Sequence, residues 1–214
     1  MQIMEMRPAI ACAVMIGLLM LTLSGCGNRD DASRLAELMQ VKPGSTVADF
    51  GAGKGALALS MANIVGSRGR VFATEIDPGR LAAIRRSAEK QRHDNLIVIE
   101  GGEKDTHLPR ECCDAIYMRG VYHHLTDPTA IDASLYRALR PGGLIAVQDF
   151  RPTWLLAPWT PAGIPANRGG HGVRPEIVID EMTAAGFKEE TDIDPWKPSW
   201  FVSNYCLLFR KPVP

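Results

Sequence analysis

The chain has 214 residues, 46% of them hydrophobic, and its 24 basic and 24 acidic side chains leave no formal net charge. With no basic run interleaved with aromatics, that balance argues against nucleic acid as a partner. About 185 residues remain beyond an apolar N-terminal segment, enough for one domain with a substantial core, and no internal repeat is evident.

That N-terminal segment starts with Arg7, continues as an apolar run from Ala9 to Leu23, and ends in Leu23-Ser24-Gly25-Cys26. A short basic start, an apolar centre and small residues at a junction describe a secretory signal. The ending resembles the bacterial lipobox, whose cysteine is lipidated and becomes the mature N-terminus. Residues 1–25 are therefore expected to be a lipoprotein-type signal, with the membrane reached through lipidated Cys26. The competing reading is an uncleaved membrane helix with a cytoplasmic domain. Pro8 to Asn28 carries no charge and approaches the ~20 residues that span a bilayer. Arg7 on one side and Arg29 and Arg34 on the other barely orient it. Residues 26–40 read as a linker and an N-terminal helix, and the domain proper as 41–214.

Val47 to Leu59, VADFGAGKGALAL, carries the most information. An apolar start leads to Asp49. Gly51, Gly53 and Gly55 follow at alternate positions, with Ala52 among them, and an Ala/Leu-rich helical pattern begins. This describes a strand, a tight turn and a helix start. Glycine permits the positive φ of the turn and lets a ligand press on bare backbone. The helix N-terminus presents unpaired N–H groups to an anionic group. The dinucleotide fingerprint is G-x-G-x-x-G; here the spacing is G-x-G-x-G.

Arg70 to Glu75 reads as a second strand ending in an acid. Glu75 lies 24 residues after Gly51, near the ~20-residue offset of a carboxylate that accepts from ribose hydroxyls; the plainer reading is a solvated strand-end charge. Asp77-Pro78 starts a helix, with Asp as N-cap and Pro at the first helical position, and Leu81, Ile84 and Ala88 supply its inward face. Strands are expected at Leu96–Glu100 and Asp114–Met118. A helix follows from Asp127-Pro128 to about Arg140, and a fifth strand comes after the Arg140-Pro141-Gly142-Gly143 turn. Arg151 to Arg174, rich in Pro, Gly and Trp, reads either as a substrate lid or as a surface loop whose tryptophans cover the core. A helix from Pro175 to Ala185, stopped by Gly186, precedes Phe187–Ile193 and Trp200–Phe209, two strands in succession. Strands alternating with helices predict a parallel doubly wound α/β sheet, and the final pair an antiparallel hairpin.

The acid two residues before G-x-G-x-G resembles motif I of the class I S-adenosylmethionine-dependent methyltransferases. VYHHLTDP (Val121–Pro128), LRPGGLIAVQD (Leu139–Asp149) and the closing hairpin are also similar to that family, and the resemblance spans about Val41 to Phe209. His171 to Phe187 is similar to a subset that carries an export-like segment before the domain. The resemblance implies a Rossmann-like seven-stranded sheet, parallel except for its last strand, and S-adenosylmethionine as cofactor. It implies a cofactor site lined by Asp49, Gly51, Ala52, Gly53, Gly55, Glu75, Ile76, Gly102, Glu103 and Arg119. One departure stands out: Gly102 sits where many members carry an acid near the adenine, so Glu103 or Asp105 is a candidate for that contact.

Methyl transfer from a sulfonium is an SN2 displacement, and alignment supplies much of the catalysis. A base is needed only where the acceptor loses a proton. His124 and Asp149 are the leading acceptor-side pair, with Tyr122 and Arg119 shaping the crevice. Three roles are open for His123-His124: structural, acid/base or acceptor positioning, and metal. No metal is expected, because neighbouring side chains on a helix point about 100° apart and no His/Cys/Asp cluster at zinc spacing surrounds them. Cys112, Cys113 and Cys206 read as small buried hydrophobes. The expected function is methylation of a small-molecule or lipid-soluble acceptor. The alternatives are a non-catalytic ligand-binding or scaffolding domain on this fold and, further off, an NAD(P)-linked oxidoreductase, which the glycine spacing and the terminal hairpin disfavour. A lipoprotein would place the domain outside the cytoplasm, whereas S-adenosylmethionine is made inside, and that tension motivates the non-catalytic alternative.

Overall fold

The computed structural model describes residues 30–199 and 202–214. A seven-stranded sheet in the order β3-β2-β1-β4-β5-β7-β6 forms its centre. The strands are β1 (Thr46–Phe50), β2 (Arg70–Glu75), β3 (Leu96–Glu100), β4 (Cys113–Arg119), β5 (Leu139–Phe150), β6 (Lys188–Ile193) and β7 (Asn204–Arg210). β1 to β5 run parallel to one another, and β7 pairs antiparallel with both β5 and β6. The expected fold, parallel with an antiparallel last strand, is the one observed.

The strand alternation sets which side chains meet which helices. Val47, Ala115, Tyr117 and Ala146 face one apolar cluster. It also takes residues of α1 (30–38), α2 (Ala56–Val65) and α3 (Pro78–Gln91). Ala48, Phe50, Ile116, Met118, Ile145 and Val147 face the other, with residues of α4 (Pro128–Ala138) and α5 (Pro175–Ala184). Ala32, Leu35 and Ala36 of α1 are buried in the first cluster, so the helix expected ahead of residue 41 shares the core of the domain. The central strands are buried on both faces, which explains their apolar runs. β6, KEETDI, is an exposed edge whose charges oppose pairing with another sheet.

The caps work as their residue types require. Asp77 accepts from the Arg80 N–H at 2.7 Å and Asp127 from the Ala130 N–H at 3.1 Å, each with proline next in the helix. Two boundaries differ from expectation. α4 stops at Ala138, and β5 takes in Pro141-Gly142-Gly143, read as a turn, through a register shift opposite Cys113 and Ala115. β7 starts at Asn204, later than the expected Trp200. Cys112, Cys113 and Cys206 are free thiols, the latter two buried. Among the described residues no helix is long and apolar enough to cross a membrane. The N-terminal apolar segment and Cys26 lie outside the described residues.

Candidate functional site

The strand order reverses between β1 and β4, since the chain moves outward from β1 through β2 to β3 and then returns to β4 on β1's other side. In open α/β sheets the ligand crevice lies beyond the carboxyl ends of the strands at such a point. The glycine turn sits there. Gly51, Gly53 and Gly55 have φ of 74°, 58° and 79°. A Cβ on Gly51 would come within 2.6 Å of the Val121 side chain, and one on Gly55 within 2.9 Å of Ile84. The turn therefore needs glycine for its backbone angle and also for space.

The turn is stitched to the end of β2. The Ala52 N–H donates to the Thr74 carbonyl at 2.8 Å, and the Gly53 N–H donates to Glu75 Oε2 at 2.8 Å. Glu75 Oε1 accepts from the N–H groups of Ile76 and Asp77 at 2.9 and 3.2 Å, and Arg80 lies 3.6 Å from Oε2. Glu75 is therefore buried, aimed at the turn and shared between four donors, not a solvated strand-end charge. Its neighbour Ile76 is 59% exposed, an apolar side chain beside the crevice.

Asp49 is buried beneath the turn. Burial pushes its carboxyl up to about 7, against the pull of the Tyr117 hydroxyl and the Arg119 guanidinium. Its Oδ2 has no hydrogen-bond partner. A buried carboxylate oxygen left unpaired beside a glycine cradle suits a cationic group on a ligand, which would restore its charge. These residues fit S-adenosylmethionine: an ammonium near Asp49, backbone against the turn, and ribose hydroxyls near Glu75. On the adenine side Asp105 is already committed. It accepts from the His107 N–H at 2.8 Å, the Ser134 hydroxyl at 3.1 Å and Arg137 at 2.7 Å. Glu103, exposed next to Gly102, is the acid left for that contact.

Arg119, at the end of β4, donates to Asp31 of α1 at 3.0 Å. Asp31 also takes the Trp196 indole N–H at 3.3 Å and pairs with Lys197 at 2.5 Å. The N-terminal helix is thereby tied across the crevice mouth, a link with no local sequence signal.

The acceptor-side residues are arranged differently from the sequence expectation. Asp149 pairs with His123, not His124. Its Oδ1 lies 2.8 Å from His123 Nδ1, and its Oδ2 accepts the His123 backbone N–H at 3.1 Å. Both side chains are buried, so Asp149 positions an imidazole instead of facing an acceptor. Tyr122 is also withdrawn from the crevice: its hydroxyl donates to Asp132 at 2.7 Å and Glu181 at 3.0 Å. His124 is exposed. Desolvation and the nearby His123 and His171 imidazoles lower its pKa below the ordinary histidine value.

The sequence reading missed His171. It lies on the loop after β5, with its ring centroid 5.0 Å from that of His123 and 5.7 Å from that of His124. The premise that nothing surrounds the histidine pair is corrected by this third imidazole. The signal available was the position of His171, in a glycine-rich stretch beyond a strand end that borders the crevice.

The loop from Arg151 to Arg174 has both pinned and free parts. Arg168 is wholly buried and forks onto Glu181 at 3.0 and 2.9 Å. The Val173 N–H donates to the Phe150 carbonyl at 3.0 Å. Trp154 and Trp159, however, are 82% and 66% exposed, so these tryptophans do not cover the core. A separate hollow of about 370 Å³, lined by residues such as Asn63, Arg70 and Asn95, opens at the amino ends of β2 and β3, away from this chemistry.

Residues 48–147 match the family model described as a methyltransferase domain. The chain is 29% identical over 180 residues to 27-O-demethylrifamycin SV methyltransferase of Amycolatopsis mediterranei, covering 78% of this chain and 64% of that protein. It spans less than two thirds of the length of the first curated relatives it matches. A SAM-dependent methyltransferase from Aquifex aeolicus superimposes with a TM-score of 0.69 at 20% identity, over 85% of this chain and 89% of that one. A protein from Bordetella parapertussis, described as a possible exported protein, gives 0.65 at 17% identity over 86% and 67%. Residues 48–147 thus carry the likeness to a methyltransferase domain, and the glycine turn and buried acids stand on the fold shared with solved SAM-dependent methyltransferases.

Proposed function

We propose that the protein transfers a methyl group to a small, lipid-soluble acceptor held at the carboxyl ends of β4 and β5. The carrying observation is the convergence of the glycine turn, Asp49 and Glu75 on one side of the crevice with the His123–His124 turn on the other. Val121 joins the two, packed against Gly51. When bound, the cofactor supplies a methyl carbon already activated by its sulfonium. The chain's part is alignment and, for an acceptor that carries a proton, help in removing it. Glu75 and Asp49 orient the cofactor, Asp149 fixes the His123 ring, and His124 presents an imidazole of lowered pKa at the open edge.

A lipid-soluble acceptor is favoured by Trp154 and Trp159, two indoles exposed on the loop that borders this edge. Such rings suit the boundary between water and a bilayer. Attachment through a lipidated Cys26, itself part of this proposal, would bring the domain to the surface where such an acceptor is dissolved. Screening membrane extracts for methyl incorporation from labelled S-adenosylmethionine tests the activity. His124→Ala should slow transfer by ~10²-fold or more if this imidazole takes part in proton removal, and leave cofactor affinity within a few fold. Cofactor binding with no S-adenosylhomocysteine formed on any extract would instead favour a binding domain.

A further inference from the structure

We propose that His123, His124 and His171 form a site for one divalent transition-metal ion, held by three imidazoles and open towards the acceptor. One ring nitrogen from each histidine lies within 4.8 Å of those from the other two. A tetrahedral ion with bonds of 2.0–2.1 Å to imidazole needs its ligands about 3.4 Å apart, so modest side-chain rotation closes the triangle. His124 is exposed and free to make that rotation.

Two of the three rings already carry the mark of a missing partner. His123 Nε2 and His171 Nδ1 are buried, and neither has a hydrogen bond. Buried ring nitrogens are otherwise satisfied, and two such orphans on rings whose centroids lie 5.0 Å apart call for a shared occupant. The Asp149 carboxylate, 2.8 Å from His123 Nδ1, holds the proton on that nitrogen and leaves the Nε2 lone pair for a ligand bond. This carboxylate–imidazole support is the arrangement that orients and strengthens a metal-ligating histidine. Phe150 packs against both rings, at 4.6 Å from His123 and 5.6 Å from His171, and restricts their rotation.

The donor set names the class of ion. Three neutral imidazoles suit zinc, iron(II), nickel or copper over magnesium or calcium. Three protein ligands with a vacant fourth position belong to reactive sites and not to closed structural ones. The use of the ion rests on the methyl-transfer reading above. Beside the methyl carbon, the cation would favour loss of an O–H or S–H proton from the acceptor to solvent. The acceptor lone pair then forms the new bond to carbon, and the C–S bond breaks with its electron pair on sulfur. With the ion bound, His124 would take part in proton removal through the cation it holds, so the loss of rate expected for His124→Ala stands on either route.

The test uses the tag-free protein, stripped with a chelator and titrated with Zn(II) or Co(II). We expect one equivalent per chain and the visible absorption of four-coordinate Co(II). His171→Ala and His124→Ala should each weaken binding by ~100-fold or more, and Asp149→Asn by about 10–100-fold. Cofactor affinity within a few fold of wild type shows that the variants are folded. No stoichiometric metal in the wild-type protein, or equal binding in wild type and both histidine variants, overturns the site. Neither result touches the methyltransferase reading, which stands or falls on cofactor turnover.

Discussion

Cofactor affinity should depend on pH through Asp49. Desolvation raises this carboxyl to about 7 in the cofactor-free protein, so it is mostly protonated at pH 6. An ammonium placed against its unpaired oxygen would draw the pKa back towards the ordinary 3.8. Binding below pH 7 must then expel a proton, and affinity falls about tenfold for each pH unit below 7. Between pH 8 and pH 5.5 the loss is roughly 30-fold, or ~2 kcal/mol. Calorimetry in two buffers of different ionisation enthalpy should register about 0.9 proton released at pH 6 and about 0.1 at pH 8. The same shift affects stability. A carboxyl whose folded pKa exceeds its unfolded value binds more proton when folded, so the cofactor-free protein loses stability as pH rises from about 4 to about 7. Asp132, also raised to about 7 by burial, adds to that slope. Asp49→Asn should abolish the pH dependence of binding and hold affinity at a low value. Affinity that is flat from pH 5.5 to 8, or a slope surviving in Asp49→Asn, would refute the assignment of Asp49 to a cationic ligand group.

Three other outcomes are expected. Glu75→Ala removes an acceptor shared by Gly53, Ile76 and Asp77 as well as the proposed ribose contacts. At about 1.5–3 kcal/mol for each charge-assisted bond, cofactor affinity should drop tenfold or more, and unchanged affinity in a folded variant would remove Glu75 from the site. Glu181→Ala leaves the buried Arg168 guanidinium without its counter-charge, at about 3–5 kcal/mol. The melting temperature should fall by roughly 6–20 °C, and a fall within ~2 °C would show that Arg168 finds another partner. Cys26→Ser should abolish lipid labelling and signal cleavage; intact-mass data with residues 1–25 retained on an unmodified Cys26 would favour the membrane-helix alternative.

The fold and the glycine-turn half of the candidate site are legible in the sequence because their signals are local. A strand, a G-x-G-x-G turn and a helix start fit within thirteen residues, Val47 to Leu59. Glu75 is fixed by its offset from that turn, since one helix and one strand set the distance. The acceptor half depends on contacts between distant segments. His123 and His124 are adjacent in sequence, but they lie on a tight 3₁₀ turn, and only the former reaches Asp149. No periodicity distinguishes them. His171 lies nearly fifty residues further on, in a stretch where glycines remove any helical or strand pattern. Tyr122 reads as a crevice residue because it precedes the histidines, whereas its hydroxyl completes the Arg168–Glu181 network, two partners that neighbour each other only after folding. The expected absence of a metal rests on spacing along the chain, and ligands drawn from two loops escape that test.

The N-terminal helix bears on where the acceptor comes from. Asp31 bonds to Arg119 at the crevice mouth, and Arg34 packs its guanidinium over the Trp196 ring at 3.7 Å. α1 is thus fixed to the domain at its site end. Asp31 is only five residue steps beyond Cys26, and an extended chain covers at most about 3.6 Å per residue. A lipid on Cys26 would therefore hold Asp31 within roughly 18 Å of the attachment point. With that attachment no long tether would separate the crevice from the bilayer, and its open edge would lie near the headgroup region. An acceptor dissolved in the membrane could reach the site without crossing bulk water, and the exposed indoles of Trp154 and Trp159 lie on the loop bordering that edge. A water-soluble acceptor would gain nothing from so short a connection. The ion pair to Arg119, the short chain to Cys26 and the two indoles thus favour the same class of acceptor from separate parts of the chain.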